Sequence, residues 1–447
     1  MTISKKKLAI LAAGGPAPGI NSVISAATIR AELEDVDVVG ILDGFKWIMQ
    51  GDITRTMPLT IEAVSRIHFR GGSHIGIARE NPTYDEKLLE NTVTSLLRLD
   101  VDKLITIGGD GTAYTAMKVE EMASGRIRVV HVPKTIDNDL DLPHGISTFG
   151  YQTARHKGVE IIQNLMVDAH TTSRWYFVVS MGRKAGHLAL GIGNAAGATL
   201  SLIPEEFPGK SIRLSHIVDI ITGAMIKRLS AGRFDGVVML AEGLIEHLHP
   251  KDLEKFLDLR RDPHGNIQLG QVDFGQIVQR HVEKRLADFG LKMTIVAKNI
   301  GYELRCADPI PFDMEYTRNL GSCAAEYILN GGNAAMVSIE SGHFIPLFFK
   351  NILDPVTGRA KMRMIDVRSE SFATARRYMI RLNKKDFDDP HAIAKYAATC
   401  GISLEKFQKQ FRYLIKKDKR YQYLTDGTVK KTALNAKPKS RAKKKKS

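Results

Sequence analysis

Cysteine is scarce. Of 447 residues three are cysteine, and Cys306, Cys323 and Cys400 stand far apart, which excludes a disulfide framework and a clustered thiolate metal site. A reducing cytoplasm fits that usage. Long apolar runs are also missing: no window approaches the ~18 uninterrupted apolar residues of a membrane-spanning helix. The N-terminal stretch "MTISKKKLAILAAGG" has the basic start and small-residue end of a secretory signal. Its apolar core is shorter than the ~7–15 residues such a signal needs, so a first β-strand is predicted there instead. No internal repeat of useful strength is present. Nor is there a large surplus of one charge: the formal net charge is +15, but seven of the 64 basic residues sit in the last eleven, "KPKSRAKKKKS". Without them about +8 remains, too little to predict a nucleic-acid partner. Residues 430–447 are read as a solvated, disordered basic tail, with binding to nucleic acid or another acidic surface as the less favoured alternative.

With 43% hydrophobic and 25% charged residues, the chain carries an ordinary globular composition and enough apolar material for two or more cores. Short apolar runs alternate with helical patterns along most of it. Strands are predicted at "KLAILAA", "VDVVGIL", "VDKLITIGG", "RIRVVHV", "WYFVVSMG", "ATLSLIP", "DGVVMLAEG" and "MTIVAKNIG". Between them lie amphipathic segments such as "EKLLENTVTSLLRL", whose apolar residues recur every three or four positions. That rhythm predicts βαβ units, hence an α/β chain of two Rossmann-like lobes with mostly parallel sheets, helices on both faces and a cleft between the lobes. From about residue 366 the pattern is helical, "SFATARRYMIRL", "PHAIAKYAATCG" and "LEKFQKQFRYLIKK", and is read as packing or a subunit contact.

In doubly wound sheets ligands sit at the carboxyl ends of strands, and polar residues collect there. The first strand ends in "AAGGPAPGINS", where Gly14 and Gly15 permit a tight turn and close approach of a ligand to a helix start. The stretch "TIGGDGTAYT" at 106–115 removes side chains at Gly108, Gly109 and Gly111, so that backbone N–H groups can face an oligophosphate. Asp110 then holds a divalent cation, directly or through water, or merely caps the helix beginning near Thr112. In "PKTIDNDLDLP", Asp137 and Asp139 are separated by one residue and aim the same way if the segment is extended. They suit a base beside a group gripping a hydroxyl or metal, with Thr135 and Lys134 for phosphate and charge; an Asx-rich turn is the bland alternative. "VVSMGRKAGH" places Arg183 after Met181 and Gly182, and "VMLAEGLIE" places Glu242 after another strand. These suit a phosphoryl oxygen and a sugar hydroxyl, respectively.

"GGDGT", "PKTIDND", "MGR" and "GYELR", in this order, resemble the phosphofructokinases, a family of ATP-dependent and pyrophosphate-dependent enzymes. The resemblance runs from about residue 7 to about 350. It implies transfer of a phosphoryl group to the 1-hydroxyl of fructose 6-phosphate, the glycolytic step that gives fructose 1,6-bisphosphate. It implies Asp137 as the base, with Asp139 and Thr135 positioning it. It implies Arg183 on the transferring group and Met181, Gly182 and Glu242 around the sugar, and Tyr302 and Arg305 at the 6-phosphate. Arg174, seven residues before Met181, is implied to reach the 6-phosphate of a neighbouring subunit, so a homo-oligomer, dimer or tetramer, is expected. Where bacterial members carry a further basic residue this chain has Val296, and Lys298 or Lys292 is the expected substitute. Gly14, Gly15, Arg79, Gly109, Asp110, Gly111 and Thr112 are implied to face the phosphoryl donor, with magnesium at Asp110. The implied donor-binding lobe is 1–148 plus about 303–355, and the implied sugar lobe 149–302 plus 356–420. Ser25 and Ile29 replace effector-binding arginines of bacterial relatives, so their allosteric control is not expected.

The donor turns on Gly111. Pyrophosphate-dependent relatives resemble one another in carrying aspartate there, whereas glycine leaves room for a third phosphate and a nucleoside. Lys134 points toward pyrophosphate, and Pro16 and Thr115 depart from the usual ATP enzymes. The expectation is Mg·ATP, with pyrophosphate as the alternative and a non-catalytic sugar-phosphate-binding subunit as a second alternative. The presence of Asp110, Asp137 and Arg183 argues against the last.

Overall fold

The computed structural model of the chain describes residues 6–142, 145–207, 209, 211–253, 273–352 and 362–417. Five strands come first: β1 (Lys7–Ala12), β2 (Val38–Ile41), β3 (Thr56–Leu59), β4 (Val101–Gly108) and β5 (Arg128–Pro133). The chain then builds β6 (Trp175–Ser180), β7 (Leu200–Leu202), β8 (Gly236–Ala241) and β9 (Ile295–Ile300), and returns with β10 (Ala335–Glu340) and β11 (His343–Phe348). One sheet runs β11-β10-β5-β4-β1-β2-β3 and the other β7-β8-β6-β9. The second is parallel throughout; the first is parallel except for its two edge strands, β3 and β11. The expected α/β class with mostly parallel sheets is therefore borne out, and all eight predicted strands are present.

Burial explains the apolar runs. Strands β6 and β8 are buried at every residue, as parallel strands covered by helices on both faces must be. Trp175 and Phe177 are fully inaccessible, and each such side chain contributes about 1.5–3 kcal/mol. Three strands went unpredicted. Two of them, β10 and β11, form a hairpin whose turn, Ser341 and Gly342, has positive φ at both residues, 51° and 83°. That is the geometry two-residue hairpins favour.

The two sheets share one apolar cluster: Leu8 and Ile10 of the first belong to the same core as Val178 and Met239 of the second. Asp313, fully buried at the start of the helix Pro311–Leu329, ties the lobes further. It accepts from the Gly150 and Thr153 amides at 3.0 and 2.7 Å and from Thr153 Oγ1 at 2.6 Å, all at the start of the helix Tyr151–Thr172. The predicted C-terminal helices appear as Glu370–Tyr378, Pro390–Thr399 and Leu404–Lys417. Phe387, Phe407 and Phe411 there pack on Ile226 and Phe289 of the second lobe. The expected basic tail lies outside the described residues.

Candidate active site

The carboxyl ends of β1, β4, β5 and β6 bring their polar residues together. Gly14 has φ 90° and donates to the Ala78 carbonyl at 2.7 Å, which folds the segment carrying Arg79 against the end of β1. After β4, Gly109 caps the helix Asp110–Ala123 and supplies no side-chain bond. Asp110 is therefore not the cap. Its carboxylate instead meets Arg183 Nη1 at 3.1 Å. A Cβ on Gly108 would collide with Thr112, at 2.3 Å, whereas one on Gly111 would meet nothing within 4 Å. The first glycine is needed for packing, and the third leaves open space.

After β5 the chain places Lys134, Asp137 and Asp139 in a buried row, 4%, 7% and 6% exposed. Lys134 donates to the Gly15 carbonyl. Burial, then the Arg183 charge, pushes its pKa down to about 7. The Asp137 amide donates to Thr135 Oγ1 at 3.0 Å. Burial holds the Asp137 carboxyl above the usual range, opposed by Arg183, whose Nε lies 3.7 Å from Oδ2. Its Oδ1 is buried without a hydrogen-bond partner. Asp139 is also raised, by burial and then by the Asp137 charge. Two adjacent buried carboxyls that cannot both ionise easily form a proton-accepting pair.

Across the cleft, Arg183 sits in the left-handed region, φ 50°. Glu242 holds it there: one carboxylate oxygen accepts the Gly182 and Arg183 amides at 2.9 and 2.6 Å. The pose leaves the guanidinium reaching Asp110 and Asp137 together, the two charges that bring strand ends from both lobes to one point. The cleft walls partly desolvate the Arg183 guanidinium although its side chain is 60% exposed, and Asp110, Asp137 and Asp139 outweigh that cost and raise the pKa.

A cavity of about 450 Å³ adjoins this cluster, lined among others by Gly14, Gly15, Lys46, Arg79 and Arg305. Arg305 stacks on exposed Tyr302, 5.2 Å from the ring centre. Its pKa is lowered by burial and by Arg79, so cations expected at donor and sugar share one wall. Met181 and Gly182 follow β6, and the Met181 amide donates to the Ile300 carbonyl at 3.0 Å, two residues before Tyr302. Arg174 does not join: it precedes β6, a six-residue strand, and so lies about 20 Å from Met181. Lys298 and Lys292 are exposed, the first on the edge strand β9. His131 was passed over. Fully buried on β5, it bonds Thr106 Oγ1 at 2.8 Å and the Gly108 carbonyl at 3.0 Å beneath the glycine loop, and burial lowers its pKa to about 3. A lone histidine within an apolar strand was the available signal.

The sequence model of the Phosphofructokinase family matches residues 7–328. The chain belongs to this family. Among its relatives is the pyrophosphate–fructose 6-phosphate 1-phosphotransferase of Naegleria fowleri, 48% identical over 417 residues, 91% of this chain and 95% of that one. The protein of the same name from Thermotoga maritima is 48% identical over 411 residues, 91% and 98% of the two chains. Solved structures share the fold. The pyrophosphate-dependent phosphofructokinase of Nitrosospira multiformis aligns with TM-score 0.64 at 18% identity, covering 90% of this chain and 93% of its own. Phosphofructokinase from Saccharomyces cerevisiae aligns with TM-score 0.63 at 19% identity, covering 94% of this chain and 50% of its own.

The two 48% relatives overturn the expectation of Mg·ATP as donor, since both are named for pyrophosphate. The structure shows where the expectation went astray. Open space at Gly111 leaves room for a third phosphate without selecting for one. Lys134, the residue that pointed toward pyrophosphate, lies on the same floor of the cleft, its side-chain nitrogen 3.5 Å from where a Cβ on Gly14 would stand. No helix among the described residues is long and apolar enough to cross a membrane.

Proposed function

We propose that this chain transfers a phosphoryl group from pyrophosphate to the 1-hydroxyl of fructose 6-phosphate, giving fructose 1,6-bisphosphate and phosphate. The observation that carries the reading is Asp137: a buried carboxyl with one unpartnered oxygen, beside an arginine that also reaches Asp110. Asp137 takes the proton of the 1-hydroxyl as that oxygen bonds to phosphorus and the bridging P–O bond breaks. Positioning and charge neutralisation supply most of the acceleration in such transfers. Arg183 follows the charge on the transferring group. Lys134, Arg79 and the amides of Gly15, Gly109, Gly111 and Thr112 hold the donor beside Gly14, whose own amide is taken by Ala78, and the donor's charge favours the protonated form of Lys134. The names and extent of the two 48% relatives support pyrophosphate.

Among the described residues no three acidic, histidine or cysteine side chains converge as a metal cage. Magnesium does not require one, because it keeps several waters and binds through one or two carboxylates plus substrate phosphates. Asp110 fits that role, leaving the Asp137 oxygen to the sugar hydroxyl, and the ion when bound would neutralise phosphate charge. Glu242, Met181, Gly182, Tyr302 and Arg305 face the sugar, with Thr135 and Asp139 beside the base. Arg174, remote from its own cleft, serves a neighbour's 6-phosphate, so the active form is a homo-oligomer. The donor occupies the lobe 1–148 plus 303–355, and the sugar the lobe 149–302 plus 356–420.

A coupled assay with fructose 6-phosphate and magnesium, run in parallel with pyrophosphate and with ATP, tests the reading. Pyrophosphate is expected to exceed ATP by about 100-fold in kcat/KM. Equal use, or preference for ATP, overturns the donor, and no turnover with either overturns the reaction.

A further inference from the structure

We propose that Arg363 is a positioning residue for Asp137, acting through Asn138 as a clamp on the loop after β5. Between the two aspartates Asn138 adopts φ 57°, a left-handed conformation that asparagine tolerates better than most residues but does not prefer. Something must hold it. Arg363 donates Nε to the Asn138 carbonyl at 3.1 Å, Nη2 to the Asn138 side-chain oxygen, and Nη1 to the Ile146 carbonyl at 2.5 Å. Its own amide donates to the Asp139 carbonyl at 2.8 Å, and Met362 bridges to Leu140. The Thr148 amide closes on the same Asn138 oxygen at 3.0 Å.

The clamp faces both lobes. His187 Nε2 donates to the Arg363 carbonyl at 3.1 Å, and Glu205 accepts the Ile365 and Gly186 amides at 3.2 and 2.9 Å. Gly186 and His187 follow Arg183 by three and four residues. The segment 362–365 thus spans from the backbone of the proposed base to the turn carrying the phosphoryl-binding arginine. Only a planar fork satisfies oxygens of two residues at once; an ammonium on a flexible stem makes one such bond well. Without the fork, Asn138 can leave the left-handed region, rotating the peptide that joins it to Asp137 and swinging the carboxyl. A displacement of about 1 Å at a reacting group costs on the order of 100-fold in rate.

This inference rests on the reading of Asp137 as base, and the test separates the two. In Arg363→Ala, kcat with pyrophosphate is expected to fall about 100-fold, while KM for either substrate moves less than about threefold. Arg363→Lys should lose less, and millimolar guanidinium should restore at least about tenfold of kcat to the alanine variant, as a purely structural defect would not allow. In the resting protein, amide exchange over 138–142 should quicken at least about tenfold while β6 is unchanged. A kcat within about threefold of the parent in both variants, or absence of guanidinium rescue, overturns the proposal. So does unchanged exchange over 138–142, a readout that needs no turnover. A parent inactive with both donors defeats the base assignment, and with it the catalytic role of the clamp. If the alanine variant does not fold, Arg363→Lys carries the same comparison.

Discussion

Replacing Asp137 by asparagine should separate activity from stability, moving them in opposite directions. The amide keeps the shape of the carboxyl but cannot take a proton. A positioned general base contributes about 10²–10⁴ in rate, or roughly 3–5 kcal/mol of barrier. Stability follows from burial. The carboxyl is 7% exposed with one orphaned oxygen, and its pKa is raised above the ordinary 3.8 chiefly by burial. A carboxyl raised in the folded state binds protons that the unfolded chain has released. The parent therefore loses stability as pH climbs from about 4 through the raised pKa. The opposing ion pair with Arg183 is long, 3.7 Å, and that arginine side chain is 60% exposed, so its loss matters little. Asp137→Asn should accordingly show kcat lower by about 10³ and KM for fructose 6-phosphate nearly unchanged. Its Tm should exceed the parent's at pH 8, the gap closing toward pH 4. Steady-state kinetics and calorimetry across that range measure both. A kcat within about tenfold of the parent refutes the base role, and a Tm below the parent's at pH 8 refutes the burial argument.

Two further outcomes follow from the same geometry. Glu242→Ala removes the acceptor of the Gly182 and Arg183 amides and should lower kcat by about 100-fold, whereas Glu242→Gln, whose amide oxygen still accepts, should retain most of it; a change confined to KM for the sugar in both would show that Glu242 acts through substrate binding alone and does not position Arg183. Lys134→Met should raise KM for pyrophosphate by about 10- to 100-fold, the loss of one charge-assisted contact, with KM for fructose 6-phosphate steady. Because the Lys134 pKa is lowered to about 7, the folded protein binds fewer protons there than the unfolded chain. That deficit makes the parent gain stability as pH rises from about 7 toward 10, a slope the methionine variant should lack in a Tm series.

Eight of the eleven strands among the described residues were legible, because buried parallel strands are almost wholly apolar and these end in turn residues; β3, β10 and β11 were not. The glycine loop, the aspartate pair and the arginine after Met181 were legible for a related reason: phosphate chemistry needs bare backbone and isolated charges at strand ends. The clamp was not. Arg363 stands in "KMRMID", a segment with no glycine, strand or paired carboxylate to mark it, and its acceptors lie more than 210 residues away. His131 was hidden in the same way, since its partners Thr106 and Gly108 belong to the neighbouring strand.

Residue order alone therefore determined the fold class, the family and the chemical inventory of the cleft, all consequences of local periodicity and short spacings. It left the donor to a single glycine, and open space is a poor witness because it excludes nothing. Tertiary structure decided which charges face one another: Arg183 joins Asp110 to Asp137, Glu242 sets that arginine's backbone, and Arg363 fastens the loop between. Electrostatic and hydrogen-bond partners are chosen by distance in space, and these meet only after two lobes have closed on a shared core.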